Sequence, residues 1–135
     1  MKLTEFLLND RFAREAGATI LHIEPGYARV SMEVTPRHLN AAGVCQGGAI
    51  FTLADLAFAA VANSHKNITL SLSANIAFLK SVKEGVIYAE ARETFNHGKI
   101  PYIEVRILDE QNDLIAILTS TGYRKKDELP VDGLE

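Results

Sequence analysis

Residues 49–62 read AIFTLADLAFAAVA, and this stretch decides the fold. Thirteen of its fourteen residues are uncharged, nearly all are apolar, and the single charge is Asp55. Because apolar side chains lie all round the helical wheel, the pattern is typical of a buried helix. An aspartate is almost never fully buried without a partner, since an unpaired buried charge is strongly destabilising. Asp55 therefore either has a structural partner or faces a cleft in which a carboxylate does chemistry.

An opening helix and a β-hairpin are predicted upstream of this stretch. Apolar residues at helical spacing indicate one amphipathic helix from about Leu3 to Gly17. The apolar face of that helix comprises Leu3, Phe6, Leu7 and Phe12. Segments 19–24 and 27–34 alternate apolar and polar residues on either side of a Pro-Gly pair, which predicts two strands joined by a turn.

Four long strands are predicted after the apolar helix, which we expect to run from about Gly48 to Ser64. The predicted strands cover residues 69–79, 86–96, 102–109 and 114–123. An antiparallel sheet curled around the central helix is one compact arrangement, and it explains why that helix is apolar on most faces. We therefore expect a single α+β domain over residues 1–124. Residues 125–135 are mostly charged, and we expect them to form a frayed tail.

The composition of the chain limits the classes of function. With 135 residues, 47% hydrophobic and 23% charged, the chain resembles one ordinary globular domain. The net charge of −3 argues against nucleic acid and acidic membranes as partners. The chain shows neither a membrane-spanning stretch nor a signal peptide, so a cytoplasmic protein is expected. The lone Cys45 excludes an internal disulfide, and the four histidines lack metal-ligand spacing, so no metal site is predicted.

The residues before Asp55 suggest what the carboxylate does. Gly47 and Gly48 stand at the predicted start of the helix, where glycines let a ligand approach the backbone closely. The first amides of a helix lack intrahelical partners and lie at the positive end of the helix dipole. They form a ready site for a carbonyl oxygen that gains negative charge in a reaction.

The spacing of these groups predicts a site shared between two chains. Asp55 lies eight residues after Gly47, which is about 12 Å along a helix. Reacting atoms must approach to about 3–3.5 Å, so the two groups of one chain cannot serve the same carbonyl. Two antiparallel copies of the helix would bring Gly47 of one chain opposite Asp55 of the other.

Residues 37–64, RHLNAAGVCQGGAIFTLADLAFAAVANS, resemble the signature of hotdog-fold acyl-CoA thioesterases of the phenylacetate-pathway (PaaI-like) branch. Two later stretches, NIAFLKSVKEG and FNHGK, resemble the strand after the helix and a Gly-Lys turn of that branch. The resemblance covers nearly the whole chain. It implies a hotdog fold, hydrolysis of an acyl-CoA to a free acid and coenzyme A, no cofactor apart from the substrate, a homodimer with active sites at the interface, and a homotetramer.

Carried over residue by residue, the resemblance implies a catalytic set. The amide of Gly47 would polarise the thioester carbonyl, and Asp55 of the facing subunit would act as general base or nucleophile. Asn40 would orient the substrate or brace the site. Ser71 would help to hold the attacking water, and Ser73 is the alternative because strand periodicity places it on the same face.

The resemblance also implies residues that bind the substrate and one residue that differs from the family pattern. Gly48 would leave room for the substrate at the helix start. The cations and turn residues implied for the phosphates of coenzyme A are Lys80, His97, Gly98 and Lys99. Gln46 stands where most members of the branch have histidine. Glutamine keeps a donor and an acceptor but carries no charge near neutral pH.

Other interpretations remain open at this point. Hotdog domains also serve as acyl-thioester dehydratases or hydratases, but residues 40–55, which form the loop and the helix start, contain no histidine for that chemistry. A non-catalytic acyl-CoA-binding module is the third possibility, and Gln46 favours it slightly. The family suggests aromatic acyl groups such as phenylacetyl or hydroxyphenylacetyl, while medium-chain groups remain open. We interpret Cys45 as a small apolar residue that packs in the core. We interpret the run Arg124-Lys125-Lys126 as a charged segment that keeps the end of the chain soluble.

Overall fold

The computed structural model describes all 135 residues as helices and strands joined by short loops. The helices are α1 Leu3–Leu7, α2 Arg11–Glu15 and α3 Gly47–Ala62, with one 3₁₀ turn at Pro36–His38. The strands are β1 Thr19–Glu24, β2 Tyr27–Val34, β3 Asn67–Phe78, β4 Gly85–Phe95, β5 Tyr102–Leu108 and β6 Leu114–Glu128. None of the helices is long and apolar enough to cross a membrane.

The six strands form one antiparallel sheet in the order β1-β2-β4-β5-β6-β3. The sheet packs against α3, which contacts every strand. The predicted sheet around a central helix, and with it the α+β class, is confirmed. Strand β3 follows α3 in the chain, yet it lies at the sheet edge and pairs only with β6.

Small and branched side chains allow α3 to lie close to the sheet. Leu53, Ala57 and Val61 of α3 are fully buried, as are Ala89 and Ala91 of β4. Because alanines on the strand leave space above the backbone, the larger side chains of the helix fill it at close packing. The apolar pattern of α3 is thus explained by burial against the inner face of the sheet.

Truncation of the central helix is expected to destabilise the fold. Leu53 is completely inaccessible to solvent, so Leu53→Ala leaves a cavity under the helix. The free energy of unfolding should fall by about 2–5 kcal/mol. Urea unfolding measures this change, with Leu8→Ala as the control because Leu8 is 46% exposed. Equal stability of the Leu53→Ala protein and the parent would contradict this account of the core.

The opening segment differs from the prediction of one helix. α1 ends at Leu7, and Asp10 begins α2 by accepting a hydrogen bond from the Ala13 N–H at 3.1 Å. Aspartate favours caps over helix interiors because its side chain competes for nearby backbone groups. The break turns Phe12 outward, so that it is 75% exposed and lies outside the predicted apolar face.

The C-terminal residues are not frayed, and that expectation is wrong. β6 continues past residue 124 to Glu128, and Leu129 behind it is buried. The Leu3 N–H donates to the Gly133 carbonyl at 2.8 Å, which ties the end of the chain to α1. Apolar residues scattered among the charges anchor this segment; they are Leu129, Val131 and Leu134.

Candidate active site

The start of α3 presents two free backbone donors. Gln46 caps the helix through its side-chain Oε1, which accepts from the Ala49 N–H at 3.1 Å. The amides of Gly47 and Gly48 donate to no group of the chain. Since they also lie at the positive end of the helix dipole, they can stabilise an oxygen atom that develops negative charge.

Close contacts explain why both positions are glycine. A Cβ on Gly47 would lie 3.0 Å from Cζ of Phe78, whose ring reaches over the helix start from the end of β3. A Cβ on Gly48 would lie 2.6 Å from the capping Oε1 of Gln46. A side chain at either position would therefore disturb the surroundings of the free amides.

Asp55 lies on the single stripe of α3 that the sheet leaves open. The helix is buried on its other sides, but the Asp55 side chain is exposed in the isolated chain. The stripe comprises Gly48, Thr52, Asp55 and Ala59, which follow one another at helical spacing. The sequence pattern concealed this stripe because Ala59 and Gly48 are as apolar as the buried residues beside them.

The carboxyl group of Asp55 has a raised pKa. Partial burial against its neighbours raises the pKa of Asp55, and the negative charge of Asp10 raises this pKa further. No hydrogen bond or salt bridge within the chain opposes this effect. Asp55 therefore has no structural partner within the chain, which leaves its predicted catalytic role open.

Asn40 shapes the loop before the helix. Its Oδ1 accepts hydrogen bonds from the N–H groups of Ala42 at 2.9 Å and Val44 at 3.2 Å. Its own backbone N–H donates to the Val44 carbonyl at 2.8 Å. The side-chain oxygen of Asn40 is thus engaged in a turn, while its Nδ2 has no partner in the chain.

The two candidate serines lie on opposite faces of the sheet. A bulge in β3 between Ser71 and Ser73 shifts the register against β6. Ser71 Oγ lies 3.3 Å from the buried Ser120 Oγ, whereas Ser73 Oγ lies 2.9 Å from Thr121 Oγ1 on the other face. The prediction that Ser73 shares the face of Ser71 is therefore wrong, since an extra residue in a strand reverses the alternation after it.

Lys80 is separated from the other candidate cations. Its ammonium group donates to carboxylate oxygens of Asp109 at 2.9 Å and Asp113 at 2.6 Å. These hydrogen bonds raise the pKa of Lys80 and lower that of Asp109. Lys80 follows one end of β3, whereas the His97–Lys99 turn lies near its other end. With its charge already matched by two carboxylates, Lys80 is poorly suited to bind a phosphate.

The His97–Lys99 turn borders a cleft of about 470 Å³, here called the basic cleft. Its lining residues are Asn67, Gly98, Lys99, Tyr123, Arg124, Lys125 and Lys126. His97 shapes the turn from within, because its Nδ1 accepts from the Lys99 and Ile100 N–H groups. Sequence reasoning missed Lys125 and Lys126 in this cleft. The sequence did contain an indication of their position, because the basic run 124–126 directly follows the predicted strand 114–123.

A second cleft, of about 580 Å³, lies beside the start of α3. α2 and the 3₁₀ turn form one wall, and the first two turns of α3 form the other, so that Gly48 and Thr52 of the stripe line the cleft but Asp55 does not. Its lining residues are Phe12, Glu15, Ala16, Arg37, His38, Leu39, Gln46, Gly48, Ala49 and Thr52. His38 is held inside this wall, with Nε2 donating to the Ala16 carbonyl at 2.7 Å. No group of three or more His, Cys, Asp or Glu side chains is arranged to hold a metal ion.

An antiparallel sheet around one helix, with unpartnered amides at the helix start and an unpartnered carboxylate along it, defines a hotdog-type protein. The "Thioesterase superfamily" matches residues 42–116, more than half of the chain. The chain belongs to the thioesterase superfamily, in its PaaI-like hotdog branch.

Individual relatives agree with this assignment. A protein of Archaeoglobus fulgidus with a provisional esterase name is 41% identical over 123 residues, 90% of this chain and 80% of that protein. Acyl-coenzyme A thioesterase PaaI of Escherichia coli K12 is 30% identical over 117 residues, 86% of this chain and 84% of that protein.

Solved structures confirm the hotdog fold. The structure of E. coli PaaI gives a TM-score of 0.86 at 26% identity and covers 95% of this chain and 99% of that one. A Streptococcus mutans protein solved with acetyl CoA bound gives a TM-score of 0.79 at 25% identity, covering 83% of this chain and 91% of that one.

Proposed function

We propose that this protein hydrolyses acyl-CoA thioesters in active sites that two subunits share. One observation carries the proposal. A thioesterase-superfamily chain presents the free amide of Gly47 and the unpaired carboxylate of Asp55 on one exposed stretch of helix. The acyl-coenzyme A thioesterase name of the E. coli relative and the acetyl CoA bound to the S. mutans protein support the substrate class.

Two surfaces that the single chain leaves open support the dimer. Strand β3 forms a sheet edge of twelve residues with exposed Leu70 and Leu72. A long apolar edge is a template for another strand. Next to it, the stripe of α3 carries Gly48, Thr52 and Ala59, which are small enough to admit a second helix. Antiparallel pairing of two β3 strands would place the two helices antiparallel as well.

In such a dimer each subunit contributes half of a site. α3 is continuous from Gly47 to Ala62, so Gly47 and Asp55 of one chain stay about 12 Å apart. Antiparallel helices would bring Gly47 of one subunit beside Asp55 of the other, and two-fold symmetry would repeat the same contact at a second site. Two such dimers would form the tetramer that the family resemblance implies.

The chemistry then proceeds with water as the only co-reactant. The thioester oxygen accepts a hydrogen bond from the Gly47 N–H. Asp55 removes a proton from water, whose oxygen attacks the acyl carbon. The tetrahedral intermediate collapses, the carbon–sulfur bond breaks, and the sulfur takes up the proton from Asp55. The products are a carboxylic acid and coenzyme A.

Direct attack is the alternative role for Asp55. Its carboxylate would bond to the acyl carbon and expel the thiolate, and water would then hydrolyse the resulting anhydride. A single turnover in heavy-oxygen water detects direct attack when the anhydride is hydrolysed at its aspartyl carbon, whereas hydrolysis at its acyl carbon labels the product acid as water activation does. Water activation leaves the label only in the product acid, whereas hydrolysis of the anhydride at its aspartyl carbon leaves the label in Asp55.

The surrounding side chains support this arrangement. The Oε1 of Gln46 is used by the helix cap, which leaves the Nε2 hydrogens as donors towards a bound substrate. The free Nδ2 of Asn40 offers a similar donor from the preceding loop. Ser71 lies on the inner face of β3, where it is suited to hold the attacking water.

The pH dependence of turnover should reflect the altered acidity of Asp55. A base must be deprotonated, so kcat falls as the pH drops through its pKa. Burial and the charge of Asp10 both raise the pKa of Asp55. The fall of kcat on the acidic side of the pH profile should therefore occur at a higher pH than the pKa of an ordinary exposed aspartate would give. Asp10→Asn keeps a helix cap but removes the negative charge. In this variant the acidic fall of kcat should therefore move to lower pH. Identical kcat–pH profiles for both proteins would contradict this coupling.

The test of the proposed function is release of coenzyme A from a panel of acyl-CoAs. The panel includes phenylacetyl, hydroxyphenylacetyl and medium-chain fatty acyl groups, since the family suggests the first two. Turnover of at least one member that is lost in Asp55→Ala supports the thioesterase. Binding of acyl-CoA by a folded, dimeric protein without any turnover would instead indicate a binding module.

A further inference from the structure

The cleft of about 580 Å³ beside the start of α3, here called the α2 cleft, adjoins the two free amides. Gly48 lies in its wall, and the Cα atoms of Gly47 and Gly48 are about 3.8 Å apart. The volume of the α2 cleft is in the range of small-molecule sites. A thioester whose oxygen accepts from the Gly47 N–H could therefore place its acyl group directly in the α2 cleft.

The short helix α2, which forms one wall of this cleft, is held only weakly by packing. Of its five residues only Ala13 is buried, and an alanine removes little apolar area from water. Phe12 of the same helix lines the cleft and is largely exposed. An exposed aromatic ring in the wall of a cleft can contact an apolar group of a ligand. The place of this ring depends on what fixes α2.

The side chain of His38 holds the end of α2. Its Nδ1 accepts a hydrogen bond from the Thr35 N–H at 2.9 Å, so this ring nitrogen carries no proton. Its Nε2 donates to the carbonyl of Ala16, the residue directly after α2, at 2.7 Å. His38 is only 6% exposed, and a buried polar group is costly to leave without its partner. The ring therefore tethers α2 to the 3₁₀ turn.

The backbone of His38 is bonded to the other wall of the cleft. The His38 carbonyl accepts from the Gln46 N–H at 2.7 Å, and Gln46 caps α3 next to the free amides. One residue thus joins both walls, with its ring on α2 and its backbone on the start of α3. A change of the ring alone should release α2 while α3 still begins at the same place.

We propose that His38 is a positioning residue for turnover, which holds α2 so that Phe12 contacts the acyl group of the thioester. His38 does not touch the reacting atoms and acts only through α2. The proposal rests on the proposed function, and it adds a place for the acyl group and a residue that determines specificity. Binding of a bulky acyl group depends on the tether, whereas an acetyl group fills little of the cleft and depends on it less.

Two substitutions of His38 separate the bonds of its ring. The asparagine side chain can accept from Thr35 but is too short to reach the Ala16 carbonyl, whereas the longer glutamine side chain can donate to that carbonyl. Calorimetry of the full chain is performed with free coenzyme A and with its S-phenethyl thioether, which cannot be hydrolysed. The ratio of the two Kd values measures the contribution of the apolar group. His38→Asn should lower this ratio about three- to tenfold, and His38→Gln should restore most of it.

Phe12→Ala tests the same wall without changing a buried residue. It should lower the same ratio about three- to tenfold. Phe95→Ala is the matched control, because Phe95 is an exposed phenylalanine outside the α2 cleft, and its ratio should equal that of the parent. In the double variant with His38→Asn, the effect of Phe12→Ala should be smaller, since the two residues act together. An unchanged ratio in Phe12→Ala would overturn the proposal even where His38→Asn fails to fold.

Kinetics provide a second test. Turnover of phenylacetyl-CoA is compared with turnover of acetyl-CoA. His38→Asn should lower the preference for phenylacetyl-CoA about three- to tenfold, through KM and not through kcat. A merely structural role of His38 would lower the stability of the protein and leave this preference unchanged.

The outcomes separate this proposal from the catalytic one. A Kd ratio that depends on His38 and Phe12, in a protein without turnover, would support the positioning role and overturn the thioesterase. Equal Kd ratios in the parent and in His38→Asn, or independent effects of the two substitutions, would overturn the positioning role, whatever the turnover.

Discussion

Asp55→Asn is expected to lower kcat about 10²–10⁴-fold, the usual contribution of a general base. Asparagine has the same size and still forms hydrogen bonds, but it cannot take a proton from water. Since Asp55 is exposed in the isolated chain and makes no hydrogen bond there, the substitution should leave the fold intact. Steady-state release of coenzyme A measures the effect, and size-exclusion chromatography checks that the variant keeps the oligomeric state of the parent, which we propose to be at least a dimer.

The matched control for this variant is Asp10→Asn. Asp10 is a second carboxylate that acts on Asp55 through its charge, but it lies at the start of α2 and has no proposed role in proton transfer. At a pH above the acidic fall of kcat its turnover should be close to that of the parent. Parent-like turnover of Asp55→Asn would remove Asp55 from the mechanism.

Gly47→Pro is expected to reduce kcat about 10²–10³-fold, which is typical for loss of one oxyanion donor. Proline lacks the N–H but is well tolerated at the first position of a helix. The preceding residue, Gln46, already has φ −66° and ψ 137°, a conformation that proline allows. The variant therefore deletes the donor while the helix still begins at the same place.

Gly47→Ala separates loss of the donor from the added bulk. Both substitutions bring a Cβ towards the ring of Phe78, 3.0 Å away, but alanine keeps the amide hydrogen. Turnover of the alanine variant should exceed that of the proline variant by at least tenfold. Equal losses in the two would indicate that crowding by Phe78, and not the missing N–H, lowers the rate.

Much of the fold could be predicted because its signals are local. The apolar run identified α3, and alternation with short turns located all six strands, although β6 extends five residues past its predicted end at 123. The strand order, with β3 at the edge, depends on pairing between distant segments and could not be read from periodicity. The split of the opening helix was signalled by Asp10, which is a better helix cap than an interior residue.

The candidate site could be predicted only where it depends on the backbone. Free amides at Gly47 and Gly48 follow from their position at the helix start, and the structure bears this out. The faces of Ser71 and Ser73 could not be derived, because a bulge leaves no clear mark in sequence. The basic cleft was missed because it joins a turn to residues that are distant in sequence.

The most direct test of the shared site is complementation between two inactive subunits. Asp55→Asn and Gly47→Pro chains carrying different affinity tags are co-expressed, and the heterodimer is isolated through both tags. One of its two sites then combines an intact Gly47 with an intact Asp55 from the partner. A turnover of about half that of the parent dimer is predicted, because one of two symmetric sites is restored. A heterodimer as inactive as either variant alone would contradict a site built across the interface.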